Sequence, residues 1–284
     1  DAPATGSGFG MQENISFTGS GELDNGLTVS LLHVMHSDAA GSSTSSITVD
    51  MGSAGTLRFM EATSNIGIKA IDDVMPTAEE EVSNGLSIAA GDSATGVAQG
   101  GTTYEAHMGA TGFDYTYSMD MGKIVMAYSP KNTSARVDDG GVSGAGAATK
   151  SGKSVHVVLD SLVDGLTVYA GTGQNGTTDN DTAAAVYAAG PITVGYQWTD
   201  RDVEAANSGS AADSERTQAS IAFAVNENLS VSYEDYENKY LKSSSSGSAQ
   251  ADVTQDIDGV QIAYTMGGAT LRVSDVSVDN GGGT

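Results

Sequence analysis

The apolar positions of this chain recur at every second residue. Thr56-Leu57-Arg58-Phe59-Met60 alternates, as do Phe113-Asp114-Tyr115-Thr116-Tyr117 and Ile192-Thr193-Val194-Gly195-Tyr196-Gln197-Trp198. Leu229-Ser230-Val231-Ser232-Tyr233-Glu234 and Val260-Gln261-Ile262-Ala263-Tyr264 repeat the pattern. Such alternation gives a β-strand one apolar face and one polar face. The helical period is nearly absent. Its best exception is Thr77-Ala78-Glu79-Glu80-Glu81, which has the look of a helix start with acids in the first turn.

The periodicity predicts fourteen strands, near residues 13–20, 26–35, 45–51, 55–61, 111–119, 122–129, 153–160, 164–172, 182–189, 191–201, 216–225, 228–236, 256–265 and 268–276. The connections alternate short and long. Short ones fall at Gly21-Glu22-Leu23-Asp24-Asn25, Gly52-Ser53-Ala54, Asp120-Met121, Ser161-Leu162-Val163, Gly190, Asn226-Glu227 and Met266-Gly267. Long ones span 36–44, 62–110, 130–152, 173–181, 202–215 and 237–255. An all-β, up-and-down antiparallel transmembrane barrel has this plan, with tight turns at one rim and loops at the other. A soluble sandwich has no reason to alternate so regularly. A β-helix needs a fixed short repeat, and the sequence holds none.

Alternation does not by itself say which face meets the apolar medium. A soluble barrel turns its Leu, Ile, Val, Phe and Tyr inward. A membrane barrel turns them to lipid and lines its lumen with polar residues. The number of strands favours the second, because side chains cannot fill so wide an interior. Tyr115, Tyr117, Tyr128, Tyr196, Trp198, Tyr233 and Tyr264 sit near predicted strand ends, where interfacial girdles are placed. Aromatic residues also favour strands in any setting.

Composition narrows the choice. Of 284 residues, 39% are hydrophobic and 17% charged, so the chain is neither a disordered polyanion nor a bundle of membrane helices. With 37 Gly and only four Pro, it reads as turn-rich β-structure. The absence of Cys excludes disulfides, zinc ribbons and thiol catalysis. A net charge of −24 argues against nucleic acid as a partner, since phosphate binding needs a basic footprint. The chain opens Asp1-Ala2-Pro3 with neither an initiator Met nor a signal peptide, so a processed or cut N-terminus is expected.

The stretch from Phe17 to Glu61 resembles bacterial general porins of the small alphaproteobacterial kind. Its hairpin Thr18-Gly19-Ser20-Gly21-Glu22-Leu23-Asp24-Asn25-Gly26-Leu27-Thr28-Val29 is similar to that family's early periplasmic turn. Met51-Gly52-Ser53-Ala54-Gly55-Thr56-Leu57-Arg58-Phe59 is similar to the strand pair leading into its constriction loop. The loop plan extends the resemblance to essentially the whole chain. In that family the barrel has sixteen strands, and the longest loop follows the fifth and folds into the pore. Here the longest connection, 62–110, follows the fourth predicted strand. The resemblance therefore implies sixteen strands in the full protein and about fourteen in this chain, with one missing at each end. Gly281-Gly282-Gly283-Thr284 lacks the family's usual aromatic C-terminus, in keeping with that expectation. It further implies a single barrel domain over 1–284 in the outer membrane of a Gram-negative bacterium. That barrel is a homotrimer in lipid, passing small hydrophilic solutes and ions by passive diffusion.

On that resemblance, Asp72, Asp73, Glu79, Glu80 and Glu81 form the loop side of a constriction, although acidic loops are usually just solvated. Four of the five Arg residues, Arg58, Arg201, Arg216 and Arg272, fall in the polar phase of their strands, as does Lys123. They are the expected wall side, and opposed charges of this kind set ion preference. Asp138-Asp139-Gly140 and Asp179-Asn180-Asp181 offer oxygen ligands for Ca²⁺ at Asp138, Asp139, Asp179 and Asp181, without EF-hand spacing. No other cofactor is expected. Catalysis finds little to work with: four His residues, no Gly-x-Ser-x-Gly elbow, no phosphate loop and no His-Glu-x-x-His. His33 and His36 point to opposite faces of a strand end, and His156 reads as a lumen side chain. The alternative is a secreted or surface-layer acidic β-protein with a structural or adhesive role.

Overall fold

The computed structural model of the chain describes residues 14–36, 42–61, 67–71, 74–82, 111–130, 151–175, 178–203, 213–241 and 253–279. Fourteen strands run in chain order. They are β1 (Asn14–Glu22), β2 (Thr28–His36), β3 (Ser42–Asp50), β4 (Thr56–Glu61), β5 (Thr111–Met119), β6 (Gly122–Ser129) and β7 (Gly152–Val163), followed by β8 (Leu166–Asn175), β9 (Thr178–Ala189), β10 (Ile192–Val203), β11 (Asp213–Asn226), β12 (Leu229–Leu241), β13 (Val253–Met266) and β14 (Ala269–Asp279). Each pairs antiparallel with its sequence neighbours in one sheet, and β1 and β14 are its edges. Two 3₁₀ turns, Gly52–Ala54 and Gly67–Ile71, complete the described elements.

The register carries each phase across many strands. On one face, Ile47, Phe59, Phe113 and Tyr128 form a row over β3–β6, and the rings of Phe59 and Phe113 lie 4.9 Å apart. On the other face, Thr48, Arg58, Asp114, Ala127, Ser154, Gly173, Asn180, Arg201 and Ser214 form a row over β3–β11. The apolar face is the open one. Ile192 and Val194 are 41% and 40% exposed, whereas Gln197 on the same strand is 1% exposed. Leu57, Tyr196 and Tyr233 are outward in the same way. The arrangement is the inverse of a soluble barrel and fits a wall whose outer side meets lipid. A secreted sandwich would bury those apolar side chains.

Two expectations are corrected. The span 173–181 is not a long connection: β8 runs to Asn175 and β9 starts at Thr178, with those two residues paired. Only two residues separate that pair, the commonest length of a hairpin connection. The polar run on either side continues the ladder instead of leaving it. Nor does Thr77–Glu81 begin a helix. The backbone N–H of Val82, which such a helix would bond to the Ala78 carbonyl, goes to Glu234 of the wall instead.

Candidate functional site

Residues 67–71 and 74–82 lie against the polar face of the sheet. The turn Gly67–Ile71 packs on β6, β7 and β8. Ile68 and Ile71, 0% and 2% exposed, cluster there with Val158, and Val74 and Tyr169 pack at the margin. Further round the sheet, Val82 joins Tyr236 and Ile257. Among the described residues, two of the three small apolar clusters therefore sit between this segment and the wall, and the third joins Met60 to Ala127.

Irregular backbone away from bulk water needs hydrogen-bond partners. Wall side chains supply them. Ser154 Oγ accepts from Ile68 N–H at 3.1 Å, and Gln197 Nε2 donates to Ile71 O at 3.0 Å. Ser232 Oγ accepts from Ala78 N–H at 2.8 Å, and Gln261 Oε1 from Glu79 N–H at 3.3 Å. Glu234 Oε2 accepts from Val82 N–H at 2.9 Å. The alternating Ser and Gln of β10, β12 and β13 thus act as brackets from β7 to β13.

The expected charged residues fall into separate groups. Glu80 is exposed, while Glu79 and Glu81 are half-buried. Glu81 lies with Glu234 and Arg216 around the Tyr236 hydroxyl, which is hydrogen-bonded to Arg216. Arg201, on the same face of β10, is buried. Arg58 forms a salt bridge with Asp114 on the adjacent strand, its Nε donating at 3.0 and 3.1 Å. Lys123 is exposed on β6, on the face that also carries His156. Arg272 is exposed on edge strand β14, opposite Ala263. Asp72 and Asp73 lie outside the described residues, as do Asp138 and Asp139. Asp179 and Asp181 stand on the outward face of β9, directly beside Asp202 and Asp200 of β10.

Sequence reasoning missed Asp114 and the bracket residues Ser154, Gln197, Ser232, Glu234 and Gln261. All lie in the polar phase of their strands. Phase shows which face they occupy, and only the pairing and the docked segment show what they touch.

The chain matches the family model for Gram-negative porins over residues 2–283. A search of curated protein sequences finds no match. Among solved structures, the fold is similar to OmpT, an outer membrane protein of Vibrio cholerae, at 13% identity and a TM-score of 0.63, over 94% of this chain and 85% of that one. It is also similar to a refined porin structure, at 14% identity and a TM-score of 0.61, over 94% of this chain and 86% of that one. Salmonella typhi OmpF, solved with daunomycin, matches at 14% identity and a TM-score of 0.59, over 93% and 81% of the two chains. At such identities the structural likeness is one of fold, and membership rests on the family match. That match spans nearly the whole length of a sheet whose apolar side faces out, and the chain belongs to the Gram-negative porin family.

Proposed function

We propose that this outer-membrane channel passes small polar solutes and ions through a passage narrowed by residues 67–82. The carrying observation is that this segment is fastened to the polar face by side chains of β7, β10, β12 and β13. Glu80 then points into the water-filled space, and the acids of the segment oppose Arg58 and Lys123 across it. Acids outnumber bases there, so cations are favoured. Bilayer recording of the purified protein tests the reading. Discrete conductance steps and a cation-selective reversal potential in a KCl gradient are expected. A protein that inserts but gives no steps would overturn it.

The assembly proposed is a homotrimer packed through the outward face of β1–β5. That face is apolar at Ile15, Phe17, Leu31, Ile47, Leu57 and Phe113. The outward face of β9–β13 instead sets carboxylates side by side, as in Asp181 beside Asp200, Asp235 beside Asp258 and Glu237 beside Asp256. Like charges directly opposite repel, which disfavours that side as the interface. A native mass of three chains is expected in mild detergent, and a single-chain mass would count against it.

Ca²⁺ is proposed as a screening ion for the same acidic rim. Among the described residues, no three such groups converge as a chelating site, so the ions are shared along the rim. Chelation should lower the unfolding temperature modestly, by the ligand-binding relation. Identical melting in excess chelator removes the proposal.

A further inference from the structure

A strand that carries only backbone at one position has room for something to approach. Gly195 is such a position, in the middle of β10 between outward Val194 and Tyr196. Its backbone has no left-handed conformation to explain a glycine. A glycine inside a strand weakens the strand and often marks the close approach of another group. Here that group is the docked segment. A Cβ at 195 would stand 2.5 Å from Pro76 Cδ, 3.0 Å from Met75 Sδ and 3.1 Å from Met75 Cε.

Other wall glycines also touch the segment, and their surroundings are mixed. A Cβ at Gly171 would first meet His156 Cβ at 2.8 Å, and one at Gly173 would meet Ser154 Cβ at 3.0 Å. One at Gly259 would meet Asp275 O at 3.0 Å as closely as it meets Val82. Those glycines serve the wall as well as the segment. At Gly195 all three nearest atoms belong to the segment. Met75 can swing its thioether aside. Pro76 cannot, because its Cδ is part of a ring closed on the backbone.

We propose that Gly195 is a positioning residue that sets how close residues 74–82 sit to the wall, and hence the width of the aqueous passage. The inference rests on the channel reading above. A methyl group at 195 needs a separation of about 3.5 Å from Pro76 Cδ, so the segment must move roughly 1 Å into the passage. The brackets at Ser232, Gln261 and Glu234 hold the segment further along, so it shifts without leaving the wall.

Single-channel conductance tests this in four variants beside the wild type. Gly195→Val should lose roughly a third of the conductance and Gly195→Ala a smaller part. Gly195→Ala combined with Pro76→Ala, which removes the Cδ, should return to the wild-type value. Gly268→Ala, in the turn between β13 and β14, is the control, because an added Cβ there meets nothing within 4 Å. Conductance of Gly195→Val equal to or above wild type overturns the proposal. If Gly195→Ala fails to assemble but the double variant assembles, the same contact is demonstrated. If neither assembles, the strand itself requires the glycine and the proposal fails. A silent wild type defeats the channel reading, whereas a conducting wild type with an equally conducting Gly195→Val defeats this inference alone.

Discussion

The polar face of the sheet has two halves built on one alternating pattern. Over β7–β13 its side chains are mostly hydroxyls and amides, and they are buried: Gln197 is 1% exposed, Gln218 2% and Ser232 3%. Over β4–β6 the same phase carries Arg58, Asp114 and Lys123, with Ser118 and Lys123 left exposed. Strand phase is identical in both halves, so phase alone does not decide burial. Where the described segment packs, polar side chains become the inner layer of a packed interface. Away from it, Ser118 and Lys123 are exposed, while Asp114 is buried beside Arg58. One half holds the segment, and on the proposed channel reading the other is the open wall opposite to it.

The strongest test of that division removes the charge of the segment. Replacing Asp72, Asp73, Glu79, Glu80 and Glu81 together by Asn or Gln leaves Arg201 and Arg216 on the covered wall without those acids. The reversal potential in a salt gradient should move toward anions, by more than any single substitution in the wall would move it, with strand content unchanged by circular dichroism. No movement, or movement toward cations, would mean that the segment does not border the passage.

A smaller effect is expected from the open half. Asp114 is 4% exposed and holds Arg58. Asp114→Asn should make that wall one charge more positive and shift selectivity modestly toward anions. Arg58→Ala should do the reverse. It should also cost about 1–3 kcal/mol of stability, because a buried carboxylate loses its donor. Thermal unfolding and reversal potential read the two consequences separately. Shifts of the same sign in both variants would show that the pair does not border the passage.

The fold was largely legible because lipid and lumen impose opposite demands on neighbouring residues. All fourteen strands follow from that period. Their outer ends do not. β12 runs to Leu241 and β11 starts at Asp213, beyond the spans read from hydropathy. There the outward residues include Glu237 and Glu215 instead of Val or Ile, so the hydropathy contrast vanishes while the ladder of hydrogen bonds continues. The site was legible only in part. Loop acids and wall bases can be picked out one by one. That Arg58 meets Asp114 depends on the β4–β5 register, which no local pattern fixes. Gly195 reads as a weak spot in an otherwise good strand. Its reason lies in Pro76, more than a hundred residues earlier.

The smallest effect should separate the two halves most cleanly, because it changes one hydroxyl in each. Ser232 Oγ accepts from Ala78 N–H at 2.8 Å and lies 3.3 Å from Gln261 Oε1, which itself accepts from Glu79 N–H. Such linked bonds support one another where water is scarce. Ser232→Ala leaves the Ala78 N–H without that acceptor, at a cost of about 1–3 kcal/mol, and loosens its neighbour. The segment stays docked through Ser154, Gln197 and Glu234. Mean conductance should therefore change little, while open-channel current noise rises as the segment fluctuates. Ser118→Ala, in the same phase of exposed β5, removes a hydroxyl that water replaces freely, and noise should stay at the wild-type level. Equal noise in the two variants would mean that the brackets do not hold the segment still, and the distinction between a holding wall and an open wall would fall.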